Sequence, residues 1–246
     1  MEIRSSNPAF RNGVLGRAGT IAGEGVMSLA GTIGKTFILL ALVIASAIYT
    51  WTQVATRPGQ IGFLITVGAI GGLVVALLTV FKPRFAPVTA PLYAVLEGLA
   101  LGGISTIYNA QYRGLPVQAV MLTFAVFLTM LALYRFRVIR ATERFRSVLL
   151  AAGMGLLLFY VANMIMGFFG MNMPLINSAS PMGIGFSVVA AGIAAFFLIL
   201  DFDLVEEGLA KGAPKHMEWY AGFSLLVTLV WLYLELIRLL GKLRRE

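Results

Sequence analysis

Residues 61–81 read IGFLITVGAIGGLVVALLTVF, a run of 21 residues without a charged side chain. A helix needs roughly 20 apolar residues to cross about 30 Å of hydrocarbon, so this run predicts a transmembrane helix. Six further stretches are similarly long and apolar, namely 36–55, 88–108, 115–134, 148–170, 182–205 and 218–240. Strands of a membrane barrel would instead show about ten residues of alternating polarity. We therefore predict an all-α fold, a polytopic bundle of seven transmembrane helices.

The composition agrees with a chain that lipid surrounds over most of its length. Hydrophobic residues make up 59% of the chain and charged residues 12%, against about 25% charged in a typical soluble domain. The absence of cysteine excludes disulfides, a thiolate nucleophile and cysteine metal sites. We expect no cofactor, and we attribute the net charge of +8 to membrane-flanking loops rather than to nucleic-acid binding.

The distribution of Lys and Arg predicts the orientation of the bundle. With the N-terminus in the cytoplasm, the inner segments carry 13 of the 19 basic residues, which is typical of cytoplasmic loops. We predict a multi-pass protein of the inner (plasma) membrane, with a cytoplasmic segment 1–35, a transmembrane domain 36–240 and a tail 241–246. The C-terminal tail conflicts with this orientation, because seven crossings place its basic residues outside. Either the last segment does not fully cross the membrane, or the earlier helices fix the topology and the basic tail is tolerated outside. We favour seven crossings, which place four basic residues outside: Arg238, Lys242, Arg244 and Arg245.

Two acids in the apolar runs, Glu97 and Asp201, are candidates for function. Glu97 lies in PLYAVLEGLALGGIS, about ten residues and roughly 15 Å into the third helix. Asp201 lies at the end of GIAAFFLILDFD, near the inner end of the sixth helix. A carboxylate at bilayer depth is costly and usually marks an ion or proton path, although a structural hydrogen bond is the alternative. We predict that these two acids belong to an ion path and sense pH.

The charged residues around Asp201 each allow two interpretations. Asp203, Glu206 and Glu207 favour a solvated helix end, and Asp203 is kept as a candidate for the ion path. Lys82 closes the second helix at a similar depth. It is either a membrane-flanking cation or a counter-ion that latches onto Asp201.

Polar residues elsewhere in the bundle are weaker candidates. Asn163 and Thr228 either line a pore or form hydrogen bonds between helices. Glu235 and Arg238 are three residues apart and predict an interfacial ion pair near the outer surface. If the last two helices are antiparallel, Glu235 and Asp201 differ in depth by roughly 20 Å, so we do not expect them to pair.

The chain lacks residues that several kinds of enzyme and photoreceptor require. His216 is the single histidine, so a metal site built from several histidines is excluded. Ser105 follows two glycines, but an intramembrane serine protease would also need a buried histidine. A retinal protein would need a lysine in the middle of the last helix, whereas Lys242 lies beyond it. We predict that the protein is not an enzyme.

Four segments together resemble the Bax inhibitor (TMBIM) family, and most closely its prokaryotic YccA-like branch. They are SSNPAF at residues 5–10, LEGLALGGIS in helix three, ILDFDLVEEG in helix six and LLVTLVWLYLELIRLLGKL in helix seven. The resemblance covers nearly the whole chain. It implies a seven-helix bundle with the last helix near its centre. It also implies a pH-sensitive calcium leak channel, whose sensor is a pair of aspartates on helices six and seven with an arginine latch after helix two.

The resemblance assigns roles to individual residues. Asp201 matches the first aspartate of the pair, and Lys82 lies near the position of the latch arginine. Aligning IRLLG with the end of the family's last helix places the second aspartate at Thr228, so half of the pair is missing here. We hypothesise that Glu97 supplies the missing carboxylate.

These observations predict a pH-sensitive cation channel, most simply a calcium leak, gated by buried acids. Its expected partners are the bilayer, calcium or protons, and membrane proteins. The alternative is a non-conducting membrane regulator that binds a protease or stress-response complex and whose buried acids are structural. A proton-coupled transporter is a third possibility, but paired broken helices in inverted halves are absent from the sequence pattern.

Overall fold

The computed structural model describes residues 25–56, 58–170 and 178–245, which form a bundle of seven long helices. The helices are α1 Leu29–Thr56, α2 Ile61–Phe81, α3 Ala86–Gln111, α4 Leu115–Arg135, α5 Glu143–Phe168, α6 Pro181–Ala210 and α7 Met217–Leu243. Each is long and apolar enough to cross a membrane. Within the described ranges the chain forms no β-strand, so the predicted all-α bundle of seven helices is confirmed.

Two helices begin earlier than the apolar runs predict. α1 begins at Leu29 rather than at residue 36, because Oγ of Ser28 caps it by accepting the Gly31 backbone N–H at 3.0 Å. α5 begins at Glu143 rather than at residue 148, after Thr142 accepts the Phe145 backbone N–H at 3.2 Å. These capped turns lie in polar sequence, which a search for apolar runs does not detect. Residues 1–24 of the predicted N-terminal segment lie outside the described residues.

α7 occupies the centre of the bundle, as the family resemblance implies. It packs against α1, α3, α4 and α6 and is the most deeply buried of the seven helices. α5 is the most peripheral and packs mainly against α6. Large apolar side chains such as Phe63, Leu128 and Leu158 are exposed on the outer surface. Such a surface suits lipid as its solvent, while helices satisfy their own backbone polar groups.

Glycines allow α3 to pack closely between α1 and α2. A Cβ atom at Gly98 would collide with Oγ of Ser46 and with the backbone of Val43 on α1. A Cβ atom at Gly68 of α2 would lie 2.5 Å from the Leu96 carbonyl oxygen on α3. Small residues at helix interfaces let backbones approach in this way. The result is a rigid three-helix layer that carries Glu97.

α7 runs through the bundle from one end to the other. Its first turn lies beside the start of α1, where Glu218 accepts a hydrogen bond from the Ser28 backbone N–H at 2.9 Å. Its last turn lies beside the start of α6, where Nζ of Lys242 donates to the Gly183 carbonyl oxygen and to Oγ of Ser187, each at 2.8 Å. We call the end where α1 begins the basic end and the opposite end the far end.

Candidate functional site

Asp201 is a buried carboxylate on the interface between α6 and α7. Only 6% of its surface is exposed. Its Oδ1 accepts a hydrogen bond from the Ser224 hydroxyl on α7, and Thr228, one turn further along α7, interacts with the same carboxylate. Its Oδ2 is buried and accepts no hydrogen bond from the described residues. Asp201 therefore combines deep burial with one oxygen that is open to a proton or a cation.

Helical periodicity explains why Asp201 faces inward. Leu198 and Val205 lie three residues before and four after it, on the same face of α6. Both are buried in the core cluster that α6 forms with α7. Asp201 lies nine residues from the last residue of α6, Ala210, so it is roughly 14 Å from the basic end of that helix.

The α7 half of the site is built from hydroxyl groups. Ser224 and Thr228 are four residues apart and lie on one face of α7. The structure thus brings Thr228 to Asp201, where the family resemblance implies a second aspartate. Ser224 was not predicted, although a second polar residue one turn from Thr228 in an apolar helix is a signal for it. The site consequently holds one carboxylate and two hydroxyls.

Glu97 lies on a different interface from Asp201. A Cβ atom at Gly72 of α2 would be 2.7 Å from Oε2 of Glu97, so the carboxylate packs against the α2 backbone. Gly72 and its neighbours shield it from the outer surface and leave it half-buried. Among the residues with described side chains, none forms a hydrogen bond or ion pair with Glu97. The two acids therefore do not form one cluster, and the hypothesis that Glu97 replaces the second aspartate receives no support.

Asp203 faces away from Asp201. It forms an ion pair with Arg146 of α5, with 2.7 Å between Oδ2 and the guanidinium nitrogen. Glu206, one turn along, accepts hydrogen bonds from Tyr134 and Arg137, each at 2.5 Å. The hydrogen bond and the charge of Glu206 raise the pKa of the exposed Arg137 further above its ordinary value. These residues form a charged surface at the basic end, which agrees with a solvated helix end rather than with an ion path.

Lys82 does not contact Asp201 in this structure. It follows the last residue of α2, is exposed, and forms no ion pair within the described part of the chain. At the basic end of α6, Arg146 and Lys211 instead pair with Glu207. A latch between Lys82 and Asp201 is therefore not formed.

A second polar cluster lies in the far half of α7. Glu235 pairs with Arg238 at 2.9 Å, as predicted, and also accepts hydrogen bonds from Tyr160 at 2.8 Å and from Trp231 at 3.1 Å. Glu235 is almost completely buried within the bundle, which the sequence did not indicate. The cause is α5, whose Tyr160 covers it. This cluster is fully hydrogen-bonded, which is what a structural ion pair requires. Asn163, on the same helix as Tyr160, is half-buried.

Two cavities border the interfaces of α7. One, of about 150 Å³, has an apolar lining between α1, α3, α4 and α7 and reaches the hydroxyls of Ser105 and Tyr233, which hydrogen-bond each other at 2.6 Å. The other, of about 230 Å³, lies between α6 and α7 at the basic end, and Leu204 and Ala221 line it. These two residues lie three positions from Asp201 and Ser224 respectively. The second cavity is therefore one helical turn from the buried carboxylate.

The arrangement can bind a proton or a cation at Asp201, but it is not a preformed metal centre. The described residues contain no group of three or more His, Cys, Asp or Glu side chains that could hold a metal ion. A tight Ca²⁺ site supplies six to eight oxygens, several of them carboxylate oxygens. A single carboxylate with two hydroxyls suits a transiently occupied site.

Comparison with known proteins identifies the family of the chain. The sequence model of the family described as Bax inhibitor 1 like matches residues 7–245. No curated protein sequence matches the chain. The family match extends over nearly the whole sequence and all seven helices. The chain therefore belongs to the Bax inhibitor 1 like family.

Proposed function

We propose that the protein lets cations, calcium among them, leak through the membrane in a pH-dependent way, with Asp201 as the residue that binds them. The observation that carries this proposal is the buried Oδ2 of Asp201, which has no hydrogen-bond partner among the described residues. Removing an ion from water costs several kcal/mol unless a partner compensates it. An ionised Asp201 therefore needs a cation or a water molecule at Oδ2, whereas a protonated Asp201 carries no charge to compensate.

Competition between protons and cations gives the pH dependence. An ionised carboxylate in a path attracts a cation, and conduction requires that the cation is held weakly enough to leave again. One carboxylate with the hydroxyls of Ser224 and Thr228 offers such weak binding. When a proton occupies Asp201, the attraction disappears. We therefore expect cation flux to fall as the pH becomes acidic.

The orientation and location of the protein are further parts of the proposal. The excess of basic residues at the basic end supports a cytoplasmic position for that end, in the inner (plasma) membrane. Lys242 is buried against polar groups of α6, so one of the four outer basic residues has its charge compensated within the protein. Assignment to the prokaryotic YccA-like branch of the family stays a prediction from the segments quoted above.

Flux in reconstituted vesicles tests the proposal. Liposomes that contain the purified protein and an internal calcium dye are exposed to calcium at acidic and neutral pH. We expect Asp201→Asn to reduce the flux at neutral pH at least tenfold and to remove its pH dependence. Asp203→Asn is the matched control, since it makes the same change two residues away on the opposite face of α6. Equal flux in Asp201→Asn and wild type would refute the assignment of Asp201.

The non-conducting regulator remains the second candidate, and one observation favours it. The buried side chains of Glu218, Glu235 and Lys242 all have hydrogen-bonding partners, so this fold does use buried charges structurally. If the protein conducts no ions at any pH, this candidate takes precedence. Sodium and potassium gradients in the same vesicles separate a calcium leak from a monovalent cation leak.

A further inference from the structure

A short segment before α1 lies across the basic end of α6 and α7. We call residues 25–28 the strap. The Met27 backbone N–H donates to the Ala213 carbonyl oxygen at 2.8 Å, and Val26 forms an antiparallel bridge with Pro214 in the loop between α6 and α7. Met27 is 5% exposed, whereas Val26 is 56% exposed. The strap therefore points one side chain inward and its neighbour outward.

Met27 is held against the α6 backbone. A Cβ atom at Gly208 would lie 2.9 Å from the Met27 sulfur, so the glycine makes room for this side chain. The Met27 side chain joins the core cluster that contains Asp201's neighbours Leu198 and Val205. Its position is therefore set by packing as well as by the backbone hydrogen bond.

A buried carboxylate anchors the end of the strap. Glu218 of α7 has no exposed surface and accepts hydrogen bonds from the backbone N–H and the hydroxyl of Ser28, each at 2.9 Å. It also forms an ion pair with Lys35 of α1. A Cβ atom at Gly31 would collide with the same carboxylate, so α1 is pressed against it. These contacts fasten the strap to the first turns of both α1 and α7.

The strap forms a wall of the cavity that lies next to the candidate ion site. Met27 and Ala213 line this cavity of about 230 Å³ together with Leu204 and Ala221. Leu204 and Ala221 place this cavity one helical turn from Asp201 and Ser224. Because Met27 lines this cavity, its side chain borders the approach to Asp201 from the basic end.

We propose that the strap is a plug that closes the route from the basic end to Asp201, and that Glu218 is its fastening point. The proposal rests on the proposed function for its physiological meaning, since a plug matters only if ions use the route. Its structural content is independent, because access to the cavity is measurable without any flux. Opening requires the strap to leave Ala213 and Met27 to leave its packing against Gly208.

Thiol labelling tests the plug, because the chain has no cysteine of its own. Ala221→Cys places one thiol on the cavity wall, and a charged thiol reagent is added to the protein in lipid nanodiscs. We expect slow labelling in this parent and at least tenfold faster labelling after Met27→Ala. Met182→Ala is the matched control, because Met182 is 72% exposed at the far end, and it should leave the rate unchanged. Arg140→Cys, at an exposed position outside the cavity lining, should label rapidly in both backgrounds.

A second variant distinguishes opening of the plug from misfolding caused by Met27→Ala. Ser28→Ala removes the side-chain hydrogen bond to Glu218 and the cap of α1 but leaves the apolar packing of Met27 intact, and it should raise the labelling rate to an intermediate value. Unchanged labelling of Ala221→Cys in both variants, or rapid labelling in the parent, would overturn the plug. Faster labelling in vesicles that conduct no ions supports the plug and refutes the leak. An Asp201-dependent leak with unchanged labelling refutes the plug alone.

Discussion

Replacing Gly98 with Ala is expected to destabilise the bundle, whereas the same replacement at Gly155 is not. At Gly98 the added methyl group would collide with Oγ of Ser46 and lie 3.0 Å from Cα of Val43, so backbone on α1 must move. At Gly155 of α5 no atom beyond the adjoining residues and backbone of the same helix lies within 4 Å of the added methyl. Both positions are helical, so the gain in helix propensity, about 0.5–1 kcal/mol, is shared by the two variants.

The difference between the two variants therefore isolates the cost of overpacking, about 1–3 kcal/mol. Unfolding by increasing SDS in mixed micelles, followed by the fluorescence of the three tryptophans, measures both variants under one condition. We expect Gly98→Ala to unfold at lower SDS than wild type and Gly155→Ala at equal or higher SDS. Coincident transitions for the two variants would show that α1 and α3 are not in the close contact described here.

Three further outcomes are expected at the polar sites. Lys82→Ala should leave calcium flux and its pH profile unchanged, because Lys82 does not contact Asp201. A changed pH profile would support the hypothesis that Lys82 is a latch for Asp201. Thr228→Asp should add a carboxylate beside Asp201, and because close like charges resist joint ionisation, flux should titrate in two steps rather than one. Glu235→Ala should destabilise the bundle by about 3–5 kcal/mol in SDS unfolding, because it leaves Arg238 without its buried partner; a change as small as a surface substitution would contradict that.

The helices were predictable from the sequence, because the length and polarity of each apolar run reflect the thickness of the bilayer. The pairing of Asp201 with Thr228 came from the family resemblance, since no local pattern links residues on two different helices. Helical geometry already separated Asp203 from Asp201, because positions two apart point to different faces. The contact of Glu97 with Gly72 was only partly predictable. The small residues indicated that a helix packs closely against Glu97, but not which helix it is.

The strap and the burial of Lys242 could not be predicted for a different reason. The bridge between Val26 and Pro214 joins residues far apart in sequence, and neither flank carries a strand pattern. Lys242 looked like a tail residue because its partners, Gly183 and Ser187, lie at the start of another helix. Long-range polar contacts of this kind depend on the assembled bundle.

The buried charges of this bundle, compared with one another, single out Asp201. Glu218 accepts hydrogen bonds from Ser28 and pairs with Lys35. Glu235 pairs with Arg238 and accepts hydrogen bonds from two aromatic side chains. In these cases protein atoms compensate the cost of removing a charge from water. At Asp201 the protein supplies a donor to one oxygen and leaves the other, Oδ2, without one. A buried oxygen without a protein donor needs a water molecule, a proton or a cation as its partner, which is why we propose Asp201, and not Glu218 or Glu235, as the cation site.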